Sequence, residues 1–214
     1  MKSKYVFPIF LLTLAIALTS CASKEKVIRE RDETYIADLD SFYIGELHLY
    51  TRVTINQPKI SDFEVTFSPR SNIIYFKAKL GLDIISIGVS YKERQKLYEI
   101  ALEYIDAYKN NTLKNEKPSK KNAYFRSKTY VSWGVFGYTH SVLANYITNV
   151  EYLETDKPYF RLKFEATDDP EDGSTTPAFS IYISPSQWQT IFEMCNQESL
   201  EAQVDEILAQ AEAF

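Results

Sequence analysis

The chain has 214 residues, a formal net charge of −5 and a hydrophobic content of 45%. This hydrophobic content excludes a largely disordered protein, and the negative charge makes nucleic acid and anionic membrane surfaces poor partners for the chain as a whole. The length is sufficient for one well-formed hydrophobic core.

The first twenty residues have the organisation of an export signal. Lys2 and Lys4 give a positive start, and the 14 residues of 5–18 are uncharged and mainly apolar. This stretch is shorter than the roughly 18–20 residues that a membrane span requires. Leu18-Thr19-Ser20-Cys21 follows and resembles the lipobox of bacterial lipoproteins. The alternatives are an ordinary signal peptide and a buried N-terminal helix.

The lipoprotein resemblance implies that Cys21 is the lipidation site. A diacylglyceryl group is expected on the Cys21 thiol, with cleavage before Cys21 and acylation, for example by palmitate, of the new amine. Each buried methylene contributes about 0.8 kcal/mol, so these acyl chains are expected to hold the protein on a lipid bilayer. No Asp follows Cys21, which by resemblance to enterobacterial sorting favours the outer membrane of the cell envelope, with the domain on its periplasmic or its surface side.

Cleavage would leave 194 residues with 22 basic and 29 acidic side chains, and therefore a net charge near −7. Cys195 would be the one remaining unmodified cysteine, so no intrachain disulfide is expected. Because exported proteins meet an oxidising compartment, a free thiol is expected to be buried.

Residues 21–35 are charged and aperiodic and predict a tether, and residues 36–214 predict a single domain. In its first half, about 41–109, alternating apolar residues predict four strands. One face of these strands carries Leu47, Leu49, Thr51, Val53 and Ile55, then Phe63, Val65 and Phe67, then Ile74, Phe76, Ala78 and Leu80, then Ile85, Ile87 and Val89. A helix follows, for which Ser90 and Glu93 predict a capping box.

The second half repeats this order after a polar linker at 110–123. Strands are predicted at about 124–136, 139–153, 158–166 and 177–183, followed to residue 195 by a helix that starts at Ser184 with Pro185 and Gln187. A further amphipathic helix is predicted over 197–212. Residues 85–100 align with 179–194 with five of 16 positions identical. The alternative to a repeat is coincidence between two similar strand–helix junctions.

These patterns together predict an α+β fold. It would be a duplicated β-β-β-β-α unit with about eight mainly antiparallel strands, helices packed on one side and the additional C-terminal helix.

Catalytic and metal motifs are weak throughout the sequence. His48 and His140 are the two histidines and are far apart, so no zinc site is predicted. The acidic loop that starts at Asp168 places Pro170 and Phe179 where an EF-hand needs ligands, so a solvated hairpin loop is expected. No metal, cofactor or catalytic residue is predicted. The alternative is a hydrolase that uses a pair of acidic residues without a recognisable motif.

The strand faces opposite the apolar ones are rich in tyrosine and basic residues. This candidate binding face comprises His48, Tyr50, Arg52, Tyr75, Lys77, Lys79, Tyr159, Arg161, Lys163 and Tyr182. Tyrosine offers apolar area with a hydroxyl, and arginine and lysine recognise anions. The sequence therefore favours a membrane-anchored binding or interaction module for a protein, peptide or anionic glycan. The alternatives are a structural subunit of an envelope complex and an ordinary solvated sheet face.

Overall fold

The structure is a computed structural model that describes residues 34–212, except 55, 136, 138, 139, 155 and 172. The expected signal, Cys21 and nearly all of the expected tether lie outside the described residues. Within the described part, no helix combines the length and the apolarity that crossing a membrane requires.

Eight strands and three helices make up the described domain. The strands are β1 Phe42–Val53, β2 Lys59–Ser68, β3 Ile73–Leu80, β4 Asp83–Ser90, β5 Phe125–Gly134, β6 His140–Glu154, β7 Lys157–Phe164 and β8 Phe179–Ile183. The helices are α1 Tyr91–Lys109, between β4 and β5, followed after β8 by α2 Pro185–Cys195 and α3 Gln197–Glu212.

The strands form a closed antiparallel barrel. Each strand pairs with the next, and β1 pairs with β8 from Tyr50–Tyr182 to Val53–Phe179. The predicted α+β fold, a duplicated unit with helices packed on one side of its sheet, is therefore wrong. A sheet that closes on itself covers its own apolar face, so no helical layer is needed to bury it.

The matching segments that suggested a repeat are two strand–helix junctions. In both, a strand leads into a helix whose N-cap is a serine, Ser90 for α1 and Ser184 for α2. Because even-numbered strands of such a barrel run in the same direction, both helices begin at the same mouth of the barrel. Both junctions therefore place a serine-capped helix at that mouth.

The predicted facing of the strands holds along most of β3 and β7, but two residues that were expected to meet solvent, Arg161 and Tyr182, are buried. Ala78 and Leu80 of β3 and Phe160, Leu162 and Phe164 of β7 are buried, while Lys79 and Lys163 are exposed. In a closed barrel the buried face is the inner one, so the outer wall carries the polar residues.

The two N-caps differ in completeness. Ser184 accepts a hydrogen bond from the Gln187 backbone N–H, and the Gln187 side chain accepts one from the Ser184 N–H. Ser90 accepts the equivalent bond from the Glu93 N–H. The Glu93 side chain instead lies close to the side chains of Tyr146, Thr129 and Ser127. The capping box predicted at Ser90 is therefore only half formed.

This difference predicts unequal costs for removing the two caps. Ser184→Ala should lower the free energy of unfolding by about 1–2 kcal/mol and Ser90→Ala by about 0.5–1 kcal/mol, because only the first breaks a reciprocal pair. Urea denaturation followed by circular dichroism measures both values. A larger loss of stability for Ser90→Ala than for Ser184→Ala would contradict the assignment of the complete capping box to Ser184.

Candidate functional site

The structure divides the candidate binding face between two parts of the outer wall. Seven of its residues lie on the neighbouring strands β7, β8 and β1, and three lie on β3. The first group is His48, Tyr50, Arg52, Tyr159, Arg161, Lys163 and Tyr182, and the second is Tyr75, Lys77 and Lys79. Strand β2 separates β3 from β1 and places the acidic Asp62 and Glu64 between the two groups, so they do not form one continuous basic patch.

Four residues of the first group pack closely in two pairs. The rings of Tyr50 and Tyr159 meet edge to face with centroids 5.7 Å apart. The Arg52 guanidinium lies 5.2 Å from the centroid of the Tyr182 ring, within the range of a cation–π contact. These neighbours and Arg161 cover the Tyr182 side chain, which is fully buried although it is on the outer wall.

Glu151 of β6 joins these residues, and the sequence analysis did not identify it. One carboxylate oxygen accepts a hydrogen bond from Arg52 at 2.7 Å, and the other accepts bonds from Arg161 at 2.7 Å and from the Tyr182 hydroxyl at 3.3 Å. Burial, and then the negative charge of Glu151, raise the pKa of Tyr182 to about 12. We call Arg52, Glu151, Arg161 and Tyr182 the outer cluster.

The outer cluster is also covered by the segment between α1 and β5. Arg161 donates a second hydrogen bond to the Asn149 side chain at 3.1 Å, and Asn149 donates to the Ser119 carbonyl at 3.0 Å. Arg161 is only 9% exposed as a result. Its charge is thus directed at Glu151 rather than at solvent, which leaves it poorly placed to receive an external anion.

The remaining residues of the candidate binding face are dispersed. Lys77 lies 3.5 Å from Glu64 on β2, and Tyr75 lies over Gly88 on β4. His48 lies 2.7 Å from Asp62, and Glu46 is close enough for the three side chains to offer ligand atoms within 4.8 Å of one another. All three of these side chains are exposed, so the outer wall does not hold them in a fixed ligand geometry.

The acidic loop is a hairpin, as predicted, but one of its carboxylates is covered. A backbone bridge joins Asp168 to Thr175, and Asp169 is only 7% exposed. Asp169 accepts a hydrogen bond from the Glu171 N–H and lies 3.8 Å from His140 of β6. The loop is thus partly packed rather than fully solvated.

A cleft at the start of α1 contains the acid with the clearest perturbation. Burial raises the pKa of Glu93, and nearby hydroxyl groups partly oppose this effect. The other carboxylate that lines the cleft is Glu99, which is exposed and bonded to Lys96 at 2.8 Å. This arrangement does not provide the two carboxylates of unlike pKa that an acid-pair hydrolase needs.

An apolar cavity of about 60 Å³ lies inside the barrel. Six strands and the helices α1 and α2 line it, so the two helices close the barrel over the cavity. The lining comprises Leu49, Phe63, Phe76, Ile87, Val89, Arg94, Leu97, Tyr98, Leu162, Phe164, Ile181, Ile183, Trp188 and Ile191. Arg94 is the one charged residue in this set.

Arg94 is almost completely buried in α1. Its Nη2 atom donates to the side-chain oxygens of Asn72, at 3.1 Å, and Gln197, at 2.5 Å. Its Nε and Nη1 atoms are buried and have no hydrogen-bond partner. Burial lowers the pKa of Arg94, although an arginine remains charged in proteins.

Two other polar groups of the cavity wall differ in their bonding. Trp188 of α2 has a buried Nε1–H without a partner, whereas the Tyr98 hydroxyl donates to the Cys195 carbonyl at 3.0 Å. Cys195 is itself buried, as predicted, and burial raises the pKa of its thiol to about 12. Such a thiol is protonated near neutral pH and is a poor nucleophile.

Comparison with known proteins places the chain in a family. A family model described as "Uncharacterised Treponema protein" matches residues 25–202. The chain belongs to this family. A protein of Treponema pallidum (strain Nichols), described as "Uncharacterized protein", is 29% identical over 202 residues, which cover 92% of this chain and 70% of the relative. No solved structure gives a significant match to this Treponema family member.

The outer cluster predicts a strong dependence of stability on Glu151. Glu151→Ala would leave Arg52 and Arg161 facing each other without a counter-charge, so the free energy of unfolding should fall by about 2–4 kcal/mol. Glu154→Ala on the same strand is the control, because it removes an exposed pair with Lys157 that contributes about 0–1 kcal/mol. Equal losses in chemical denaturation would show that the outer cluster is not a buried ionic group.

Proposed function

We propose that this chain is a bacterial envelope lipoprotein whose barrel is a binding module for a small molecule held in its interior. The apolar cavity between the barrel strands and the helices α1 and α2 carries this proposal. Ligand sites in closed barrels are typically interior cavities with a mainly apolar lining and a few polar groups. This cavity has an almost entirely apolar lining, in which Arg94 is the one charged residue.

The interior is better suited to binding than the outer face. On the outer wall, Glu151 already occupies the two most covered arginines, so an anionic glycan would have to compete with an internal carboxylate. Inside the barrel, no internal carboxylate lies among the residues that line the cavity, and its wall is apolar. An apolar ligand therefore finds an unoccupied surface in the interior, whereas the arginines of the outer cluster are already paired.

A protein partner on the outer wall is the second candidate. Tyr130 of β5 and Leu143 of β6 face each other across neighbouring strands and are 61% and 47% exposed. A tyrosine beside an aliphatic residue suits the centre of a protein interface. In that role the protein would be an interaction or assembly component of the envelope.

Membrane anchoring through Cys21 is a separate part of the proposal and is tested by removing the Cys21 thiol. Cys21→Ser in the full-length chain should prevent lipidation and keep the signal uncleaved, because no thiol is available for the diacylglyceryl group. Metabolic labelling with radioactive palmitate in an expressing bacterium measures lipidation, and a shift in gel mobility measures cleavage. Equal labelling of wild type and Cys21→Ser would refute the lipoprotein assignment.

The interior cavity is tested with small apolar probes. Xenon should produce saturable methyl chemical-shift changes at Leu49, Ile87 and Ile181 in the lipoprotein reconstituted in phosphatidylcholine nanodiscs. Apolar cavities lined by aliphatic and aromatic residues take up xenon in this way. Val89→Phe should remove these changes because the larger side chain fills the cavity.

Val135→Phe makes the same substitution at a position that is 49% exposed and should leave probe binding unchanged. If Val89→Phe destabilises the barrel by overpacking, which costs about 1–3 kcal/mol, Leu49→Ala provides the opposite change and should strengthen binding by enlarging the cavity. If neither Val89→Phe nor Leu49→Ala alters probe binding, the probe binds outside the barrel and the proposed function is rejected.

A further inference from the structure

One side of the outer wall carries basic side chains and no acidic ones. The outward positions of β3, β4, β5 and residues 140–149 of β6 follow from the strand pairing and from the buried inward positions. No carboxylate occupies any of these outward positions. They carry four cations and two tyrosines that we call the basic face, namely Lys77, Lys79, Arg126, Lys128, Tyr75 and Tyr130.

The charge of the basic face is opposite to that of the protein as a whole, which has a net charge of −5. Lys79 and Lys128 form no ion pair within the part of the chain that the structure describes. Lys77 approaches Glu64 at 3.5 Å, with both side chains partly exposed. Because exposed ion pairs of this kind contribute little, these lysines remain available to an external anion.

The basic face differs in this respect from the outer cluster. In the outer cluster, Glu151 pairs with both Arg52 and Arg161. On the basic face, Arg126 donates a hydrogen bond to the backbone carbonyl of Lys120, which is a neutral acceptor. An anion that binds the basic face therefore does not have to displace an internal carboxylate from its arginine.

The two tyrosines lie between two pairs of cations. Tyr75 of β3 and Tyr130 of β5 are both paired with Gly88 of β4 and therefore lie on either side of it. The Tyr75 ring covers Gly88, where an added Cβ atom would come within 3.1 Å of the ring, and Tyr130 is 61% exposed. The two lysines of β3 follow Tyr75, whereas the two cations of β5 precede Tyr130. Since β3 and β5 run in the same direction, the two pairs of cations lie on opposite sides of the tyrosines.

The distance between the two pairs of cations requires an extended ligand. Lys77 is level with Ser132 through their common neighbour Ser86, and Lys128 precedes Ser132 by four residues. Strand spacing and residue rise then separate the Cα atoms of Lys77 and Lys128 by roughly 16 Å. A small anion cannot reach both ends, but a polymer with repeated acidic groups can. Hydroxyl groups lie between the ends, where Ser132 donates to Ser141 at 3.1 Å.

We infer that the basic face binds a linear acidic polysaccharide, with its carboxylates on the lysines and Arg126 and its sugar rings on Tyr75 and Tyr130. Lysine and arginine form charge-assisted hydrogen bonds with carboxylates. A sugar ring has an apolar face and hydroxyl groups, and tyrosine likewise offers apolar area with a hydroxyl. An acidic polypeptide would match the charges without supplying such rings. The basic face is outside the barrel, so this inference is independent of binding in the interior.

Polygalacturonate is the probe, and each of two matched polymers lacks one of its features. Fully methyl-esterified polygalacturonate keeps the sugar rings without the charge, and poly-L-glutamate keeps the charge without the rings. Isothermal titration of the full-length lipoprotein in phosphatidylcholine nanodiscs, with empty nanodiscs as the blank, should give an apparent Kd for polygalacturonate about tenfold below that for the ester. Raising the sodium chloride concentration from about 0.05 M to about 0.5 M should weaken polygalacturonate binding several-fold, because exposed charges are screened.

The charges are tested by a double substitution on the two sides of the tyrosines. Lys77→Gln with Lys128→Gln should weaken polygalacturonate binding about tenfold, because it removes a cation from each end of the basic face. The matched control is Lys96→Gln with Lys157→Gln, which removes two exposed lysine charges elsewhere and should leave the Kd nearly unchanged. Substitutions at such exposed positions cost little stability, and circular dichroism checks that each variant is folded.

The sugar rings are tested by a tyrosine substitution. Tyr130→Ala should weaken polygalacturonate binding about threefold to tenfold and leave poly-L-glutamate binding nearly unchanged, because only the polysaccharide offers rings to the tyrosine. Tyr43→Ala is the matched control, since Tyr43 lies on β1 outside the basic face and is 60% exposed, close to the 61% of Tyr130. It should change neither Kd.

Losses of polygalacturonate binding in the variants of the basic face, with both controls like wild type, would support the inference. The absence of polygalacturonate binding, or equal binding by wild type and the Lys77→Gln and Lys128→Gln double variant, would overturn it. A Tyr130→Ala variant that binds polygalacturonate like wild type would overturn it as well. Equal losses for both acidic polymers in Tyr130→Ala would assign the basic face to an acidic polypeptide instead.

Discussion

Pairing between the first and last strands is the interaction on which the rest of the structure depends. It involves only four residue pairs, from Tyr50–Tyr182 to Val53–Phe179. These pairs remove the two free edges of the sheet and turn its apolar face into an interior. The first part of β1 extends beyond β8, and there the Gln187 side chain of α2 donates to the His48 carbonyl at 2.6 Å. Closure thereby also positions the helix that covers the mouth.

The sequence predicts the local features of this fold and misses its closure. Alternation along β3 and β7 correctly separates buried Ala78 and Phe160 from exposed Lys79 and Lys163, because a slip of one residue would bury charged side chains. Whether a sheet stays open or closes depends on pairing between residues about 130 positions apart, such as Tyr50 and Tyr182. Periodicity within each strand contains no information about that distant pairing.

The candidate binding face shows that sequence patterns also fail to reveal which side chains meet across strands. The sequence identified Arg52, Arg161 and Tyr182 as residues of the outer wall, but not that Glu151 would lie among them. The first strand and the last three, β6, β7 and β8, bring these residues together around the barrel. The only sequence signal for Glu151 is its place on the polar face of its strand, a place that many solvated acids share. Arg94 was missed for a related reason, since one arginine in an amphipathic helix ordinarily faces water.

Barrel closure also explains why the side chains of the cavity wall that carry N–H donors, Arg94 and Trp188, lie on helices. In a closed antiparallel sheet the backbone N–H and C=O groups of the wall are used in the ladder, so the wall can offer a ligand only its side chains. Here the inward side chains that contact the cavity from the strands are all apolar. Hydrogen-bond donors must therefore come from α1 and α2, where Arg94 and Trp188 lie. The strands thus supply an apolar wall, and the helices that cover it bring the charged and polar side chains next to that wall.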